Sequence, residues 1–217
     1  MRFDTNAQDT QVGSNDAVVR ALRFVGNDRA LLAGLKDSHP GAAAELYDRY
    51  ADHVQRVLAR ILGLDQDLAD VLQEVFLEAL RSIRSVEDGS RLKAWLTSVA
   101  VHTAHACLRR RGRRKWLLIR EPELVPEQAV AGPDHEARQM LQGAYEVLDR
   151  MPVKERIAFA LRHVEDLPLA EVAEACGVSL ATVKRVLARA EKRFTALAGR
   201  HPLLRARLAE LSGRRNP

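Results

Sequence analysis

The chain has 217 residues, of which 47% are hydrophobic and 29% are charged, as is usual for a globular protein. Only 5% are aromatic, and there are 12 glycines and 8 prolines, so the composition favours helices rich in Ala, Leu, Arg and Glu over β-sheets. The formal net charge of +5 favours a polyanionic partner. The polar N-terminus does not look like a secretory signal, and no run of about 18 apolar residues predicts a membrane span. We therefore expect a cytoplasmic protein without direct membrane insertion.

A polar extension covers residues 1–27, and helical patterns begin at Asp28. A short helix, "DRALLAGLKD", ends at "SHPG", and three longer helices follow, each with an apolar face. The residues on these three faces are Leu46, Tyr50, Val54, Val57 and Ile61; Leu68, Leu72, Val75, Ala79 and Ile83; and Leu92, Trp95, Leu96, Val99 and Thr103. Four helices with short connections predict a compact all-α domain over residues 28–116.

The composition changes between Glu121 and Glu136, where five acidic residues and three prolines occur without a single Lys or Arg. Prolines at this density prevent a continuous helix, so we predict an acidic, proline-containing linker over residues 117–136. The helical period returns at Ala137 and predicts a second all-α domain over residues 137–199. A basic C-terminal tail, residues 200–217, has no recognisable role.

The second domain contains a helix-turn-helix pattern, "LAEVAEACGVSLATVKRVLARAEKRF". Gly177 supplies the positive φ that a tight corner between two helices needs, and Ser179 is a favourable N-cap for the second helix. A basic recognition helix is typical of DNA-binding proteins, and a solvated basic face on an ordinary helix pair is the alternative. The apolar face carries Val183, Leu187, Ala190, Phe194 and Leu197, and the opposite face carries Thr182, Lys184, Arg185, Arg189, Lys192 and Arg193.

In the first domain, the segment "DLADVLQEVFLEALRSI" carries a polar cluster on the side of its helix away from the apolar face. Asp70, Gln73, Glu74 and Leu77 recur at i, i+3, i+4 and i+7, so they lie close together. Spacing alone leaves two interpretations open, a solvated helix face and a docking surface.

Four strings, "GAAAELYDRY", "DLADVLQEVFLEAL", "LKAWLTSVA" and "LRRRGRRK", occur in this order and resemble the promoter-recognition domain of bacterial RNA polymerase sigma factors. The string "LDRMPVKERIAFALRHVEDLPLAEVAEACGVSLATVKRVLARA" is similar to their C-terminal helix-turn-helix domain. With only these two domains, the chain resembles the small extracytoplasmic-function (ECF) class of the sigma-70 family. The resemblance covers about residues 28–197.

The resemblance implies a transcription initiation factor that binds core RNA polymerase and promoter DNA and is held inactive by an anti-sigma factor. Such a factor is not an enzyme, needs no cofactor and would be nucleoid-associated, with its acidic linker in the RNA path of the polymerase. The polymerase-binding residues would be Asp70, Gln73, Glu74 and Leu77. Residues 87–93 and the following helix would face the minus-ten element through Arg91, Lys93, Trp95, His102, Arg109, Arg110, Arg111, Arg113 and Arg114. The minus-thirty-five element would be contacted by Ser179, Thr182, Lys184, Arg185 and Arg189.

The chain departs from the family pattern at two places. Val101-His102 stands where family members commonly have Arg-Asn, and Ala106 stands where they have Asp. Because that Asn is linked to base capture, we expect a minus-ten preference that is weak or unlike the usual one. In the recognition helix, the usual Lys-Ser-Arg reads Lys184-Arg185-Val186, which moves one basic residue by one position.

Other interpretations concern metal binding and the class of DNA-binding protein. His102 and His105 at i, i+3 could share a metal ion, but apart from Cys107 no further ligand stands at a convincing spacing, so no metal site is predicted. Cys107 and Cys176 lie in apolar helical patterns and are predicted to be buried thiols. A stand-alone repressor or activator would need no polymerase-docking surface. A degenerate sigma-like protein would bind polymerase but no promoter.

Overall fold

The structure is a computed structural model that describes residues 24–63, 67–117 and 135–206, with side chains described over 24–63, 67–113 and 137–206. Within these ranges the chain forms helices and turns and no β-strand, so the predicted all-α class is confirmed. The longer helices are α1 Asp28–Lys36, α2 Ala42–Leu62, α3 Leu68–Ser82, α4 Leu92–Leu117, α5 His135–Asp149, α6 Val153–Phe159, α7 Leu169–Ala175 and α8 Leu180–Ala198. Short helical turns lie at Ile83–Ser85, Gly89–Arg91, Ala160–Val164 and 202–206.

Helices α1 to α4 form the N-terminal domain around the apolar face of α2, which packs against α1, α3 and α4. All five residues predicted on that face are buried, four of them completely, namely Leu46, Val54, Val57 and Ile61. Burial of each such side chain stabilises the fold by about 1.5–3 kcal/mol relative to exposure. Asn27 caps α1, since its Oδ1 accepts a hydrogen bond from the amide of Ala30 at 3.0 Å.

The C-terminal domain contains the predicted helix-turn-helix, formed by α7, a turn at Gly177 and α8. Gly177 has a φ of +63, and the amide of Val178 donates to the carbonyl of Ala173 at 3.0 Å, which closes the end of α7. Ser179 caps α8, because its Oγ accepts a hydrogen bond from the amide of Thr182 at 3.3 Å. The predicted apolar face of α8 is buried at Val183, Leu187 and Ala190 and half-buried at Phe194 and Leu197.

Several predicted segments lie wholly or partly outside the described residues, namely the extension up to residue 23, linker residues 118–134 and the tail from residue 207. Helix α4 ends at Leu117 and α5 begins at His135, so helices border the linker on both sides. Cys107 is buried as predicted, but Cys176 is only half-buried, because it ends α7 beside a cavity. Burial still raises the pKa of the Cys176 thiol to about 11.

One cluster of buried side chains extends through both domains, from Leu31 in α1 to Leu187 in α8. Helix α4 forms most of the junction, because it packs on α2 and α3 on one side and on α6 and α7 on the other. The helical turn Ala160–Val164 also contacts α2. Periodicity identifies apolar faces but not their partners, so the sequence-based prediction of two linked domains did not include this contact.

Candidate functional site

The predicted polymerase-docking residues lie on the outer face of α3. Asp70, Gln73 and Leu77 are exposed, and Glu74 is half-buried. The apolar residues of the same helix, such as Val75, face the core. The prediction that this cluster lies away from the buried face is confirmed, and its role in docking stays a prediction.

Glu74 is half-buried because it forms a bidentate ion pair with Arg110 of α4. The two terminal nitrogens of Arg110 donate to the Glu74 carboxylate at 3.2 and 2.9 Å. Hydrogen bonding to Glu74 raises the pKa of Arg110. One residue further along α4, Arg111 donates to the carboxylate of Asp67 at 3.4 Å. The polar face of α3 and the basic run of α4 therefore meet in one cleft of mixed charge, which the sequence did not predict.

The α2–α3 surface also exposes apolar side chains that sequence reasoning missed. Leu80 follows Leu77 by three residues on α3, and the two are 38% and 53% exposed. Tyr47 of α2 is 42% exposed, and its ring packs against Phe76 with centroids 4.8 Å apart. The i, i+3 spacing of Leu80 was a usable signal. Tyr47 joins this surface only through the packing of α2 on α3.

The predicted minus-ten residues lie before α4 and along its outer face. Asp88 caps the turn that leads into α4, and hydrogen bonds from the Ser90 hydroxyl and amide lower the pKa of Asp88. Trp95 is half-buried against the core, so only part of its ring faces outward. The side chain of Arg114 lies outside the described residues. The exposed members of the predicted set are Arg91, Lys93, His102, Arg109, Arg110 and Arg113.

The helix-turn-helix packs against this same side of α4. A Cβ atom placed on Gly177 would lie 3.9 Å from Nε2 of His102, so the turn lies beside the predicted minus-ten helix. Arg91 forms an ion pair with Glu174 of α7. A cavity of about 240 Å³ separates the remaining surfaces, and its lining includes Val101, His102, His105, Lys154, Cys176 and Thr182. The predicted minus-ten and minus-thirty-five surfaces therefore meet.

The basic residues of α8 fall into two groups. Lys184 and Arg185 are exposed in the second turn of the helix. Arg189 lies 3.8 Å from the carboxylate of Glu155, which also accepts a hydrogen bond from Arg193 at 2.7 Å. Glu155 is buried, so it holds these two cations against α6. Lys184 and Arg185 are the better placed to contact a ligand.

A polar contact that was not predicted holds α4 against α2. Nε2 of His53 lies 2.8 Å from Oγ1 of Thr97, whose hydroxyl donates to the carbonyl of Lys93 at 3.0 Å. Because that hydroxyl has a single proton, His53 donates to Thr97. Burial lowers the pKa of His53 to about 4, with smaller contributions from Lys93 and Arg56. The contact fixes the first turns of α4, which carry predicted DNA contacts.

The described residues contain no group of three or more His, Cys, Asp and Glu side chains placed to hold a metal ion. His102 and His105 line the same cavity, whereas Cys107 is buried on another side of α4. Burial, followed by the nearby Arg109 and Lys154, lowers the pKa of His105. Across the described helices, none is both long and apolar enough to cross a membrane.

Two family models match the chain in the order of its domains. The model "Sigma-70 region 2" matches residues 46–114, and "Sigma-70, region 4" matches residues 141–194. The first match runs from within α2 through α3 and most of α4, and the second runs from within α5 into α8. The polar cluster of α3 and the helix-turn-helix thus fall inside the matched segments.

Individual proteins agree with these matches. RNA polymerase sigma factor SigV of Bacillus subtilis is 32% identical over 144 residues, which cover 65% of this chain and 83% of that protein. ECF RNA polymerase sigma factor SigE of Mycolicibacterium smegmatis is 29% identical over 72% of this chain, which spans 62% of that protein. The solved structure of CnrH in complex with the cytosolic domain of CnrY shares the fold, with a TM-score of 0.53, 20% identity and coverage of 78% of this chain and 96% of that chain. The chain belongs to the sigma-70 family of RNA polymerase sigma factors and is a transcription initiation factor of the ECF class.

Proposed function

We propose that this sigma factor docks on core RNA polymerase through the outer face of α3 and reads promoters with α4 and α8. The cluster of the exposed Asp70, Gln73 and Leu77 with the half-buried Glu74 carries the proposal, because a stand-alone DNA-binding regulator has no need of it. Carboxylates, an amide and an apolar side chain on one rigid helix suit a helical partner with basic and apolar groups. The family resemblance identifies that partner as the coiled coil of the largest polymerase subunit.

The outer face of α4 is suited to the phosphates of separated DNA strands. Exposed cations at Lys93, Arg109 and Arg113 extend along one long helix, and such a series follows a nucleic-acid backbone. His102 offers fewer hydrogen-bonding groups than the Asn of the family pattern, and Ala106 removes a carboxylate that would repel phosphate. The minus-ten element is therefore held more by its backbone and less by its bases.

The start of α8 is suited to the minus-thirty-five element. Recognition helices present their first turns to the base edges of the major groove. Lys184 and Arg185 are exposed in these turns, and Ser179 anchors the helix start. Arginine reads guanine by two parallel hydrogen bonds, so we assign direct base contact to Arg185.

The remaining roles follow from this assignment. The chain acts without cofactor and without enzymatic activity of its own, in the cytoplasm and on the nucleoid, where its two partners are. CnrH, which shares the fold, was solved with a protein bound to it, and this supports an anti-sigma partner for this chain. A second candidate, a sigma-like protein that binds polymerase without promoter specificity, is favoured by the departures at His102 and Ala106.

The docking role is tested by Asp70→Ala with Glu74→Ala in a core polymerase binding assay. Neither side chain is buried, so the double variant should keep its helical circular dichroism and lose at least about tenfold in affinity for the polymerase. Glu78→Ala is the matched control, because Glu78 is exposed one turn further along the same helix.

A second control separates docking from the internal ion pair. Arg110→Ala removes the partner of Glu74 but keeps the docking carboxylate, so this variant should bind polymerase as wild type does. If the double variant binds core polymerase as tightly as Glu78→Ala, the assignment of α3 as the docking face is wrong.

A further inference from the structure

The cavity between the two domains, about 240 Å³ in volume, has an apolar floor. Val101 of α4, Ile157 of α6 and Val183 of α8 line it, and each is at most 3% exposed. The thiol of Cys176 adds a polarizable wall. Burial raises the pKa of this thiol to about 11, so the thiol is uncharged at neutral pH. The interior of the cavity is therefore suited to an apolar group.

The basic side chains of the cavity lie where it opens to solvent. His102 and Lys154 line it and are exposed, and His105 lines it and is half-buried. None of the described residues around the cavity is acidic. Within the described part of the chain, these three side chains have no hydrogen-bond or ion-pair partner. Positive charge is therefore concentrated at the opening without a carboxylate to balance it.

A carboxylate or another oxyanion would satisfy all three groups together. Lys154 supplies a charge, and a ring nitrogen of each histidine can donate a hydrogen bond even when the ring is neutral. His102 and His105 are three residues apart on α4, so their side chains are neighbours on one face of the helix. An anion held between them would have two donors and a nearby cation.

The walls of the cavity are held in place by hydrogen bonds between the domains. Arg156 of α6, the helix that supplies one wall, donates from Nε to the carbonyl of Ile61 at 2.8 Å and from a terminal nitrogen to that of Leu62 at 3.1 Å. The hydroxyl of Tyr145 donates to the carbonyl of Ala59 at 3.0 Å. These contacts cap the end of α2, whose last carbonyls have no partners within the helix. A ligand would enter a cavity that is already shaped, so little of its binding energy would be lost in ordering the protein.

The volume of the cavity sets the size of the apolar group. A cavity of roughly 150 Å³ lined by apolar side chains holds benzene. The 240 Å³ of this cavity therefore admits a larger body, of about eight carbons.

We propose that this cavity is a binding site for a small amphipathic anion, with the oxyanion at the two histidines and Lys154 and an apolar body of about eight carbons in the interior. The binding itself does not rest on the proposed function. One consequence does rest on it: His102 is a predicted minus-ten residue, so a bound anion would occupy a side chain assigned to promoter DNA. The sigma factor would thereby respond to a small molecule directly.

Three probes that share one alkyl chain and differ in the head group test this chemistry. Octanoate, 1-octanol and octylammonium are titrated into the full chain by isothermal titration calorimetry, at concentrations below those at which they self-associate. Octanoate should bind one-to-one and about three- to tenfold more tightly than octanol, because the anion gains charge-assisted hydrogen bonds. Octylammonium should be rejected, because its charge would meet the basic opening without a carboxylate to balance it.

Two variants locate the binding in the cavity. Lys154→Met removes the charge and keeps the apolar stem, so it should bind octanoate about three- to tenfold more weakly and octanol as wild type does. Lys192→Met is the matched control, because Lys192 is an exposed lysine of α8 that does not line the cavity. Val186→Phe fills part of the cavity from a half-buried position and should weaken both octanoate and octanol about tenfold or more. The helical circular dichroism of each variant shows whether it is folded.

The proposal is overturned if octanoate does not bind the full chain, or if octanol or octylammonium binds as tightly as octanoate. It is also overturned if Lys154→Met and Lys192→Met bind octanoate equally well. Full binding by a folded Val186→Phe variant would place the ligand elsewhere and contradict the proposal in the same way. The titrations contain neither polymerase nor DNA, so failure of the proposed function would not change their result.

Discussion

His53 shows how a single titratable side chain ties the two long helices of the N-terminal domain together. The imidazole is neutral and donates to Thr97, and its pKa of about 4 lies below the ordinary 6.5 mainly because of burial. The unfolded chain therefore binds more protons between these two values. Stability from this contact is complete above pH 6.5 and is lost as the pH falls towards 4.

Replacing His53 by Gln keeps a donor for Thr97 but removes the titration. When the pH falls from about 7 to 4.5, the unfolding free energy of wild type should decrease by about 1–2 kcal/mol more than that of the variant. This difference is reduced from the full pKa shift because the ring is partly exposed to solvent. Denaturant unfolding at the two pH values measures this difference. Thr97→Val is the control and should lower stability at both values while keeping the wild-type pH dependence. Parallel curves for wild type and His53→Gln would contradict the assignment.

At the scale of an element, the basic residues in the first half of α8 and those in its second half have different surroundings. The sequence places Arg185 and Arg189 four residues apart on one face and does not distinguish their roles. The structure adds the buried carboxylate of Glu155, which lies near Arg189 and accepts a hydrogen bond from Arg193. Glu155 thereby holds the second half of α8 to α6, and we propose that the exposed cations of the first half contact DNA.

This division predicts unequal effects of two alanine variants on promoter binding. Arg185→Ala should lose about 1–3 kcal/mol on a duplex carrying the selected minus-thirty-five sequence, and much less on a scrambled duplex. Arg189→Ala should cost less and weaken both duplexes alike, because Glu155 partly neutralises this cation. The duplex is first selected with the holoenzyme, and fluorescence anisotropy then measures the affinity of each variant for the selected and the scrambled duplex. If the two variants lose the same binding free energy on each duplex, the pairing with Glu155 does not distinguish Arg189 from Arg185.

At the scale of the whole molecule, one buried apolar cluster extends through both domains, so we expect the two domains to unfold together. We expect a single calorimetric transition whose van 't Hoff and calorimetric enthalpies agree. Tyr145→Phe removes a hydrogen bond to the carbonyl of Ala59, and Glu174→Gln breaks the ion pair with Arg91. The double variant weakens the contact between the domains and should broaden or split this transition. Glu146→Gln, which affects a pair with His201 inside the C-terminal domain, is the control and should unfold as wild type does. Two separate transitions in wild type would contradict a shared core.

The sequence predicted what depends on local spacing and failed where distant segments meet. The buried face of α2 and the corner at Gly177 followed from periodicity and from backbone conformation. The pairing of Glu74 with Arg110 and the capping of α2 by Arg156 join residues far apart in the chain. One signal was available: α4 is apolar around more than one face, since both Val99 and Val101 are buried. A helix of this kind needs neighbours on two sides.

Because Arg156 caps the end of α2, this contact between the two domains can form only late in the synthesis of the chain. Residue 62 leaves the ribosome about ninety residues before Arg156, an interval of roughly 5–20 s at typical rates of synthesis. Throughout that time the end of α2 has no Arg156 to bond its last carbonyls, and α4 has no C-terminal domain over it. The N-terminal domain is therefore made before its contacts with the C-terminal domain, which form only as synthesis reaches the second half of the chain.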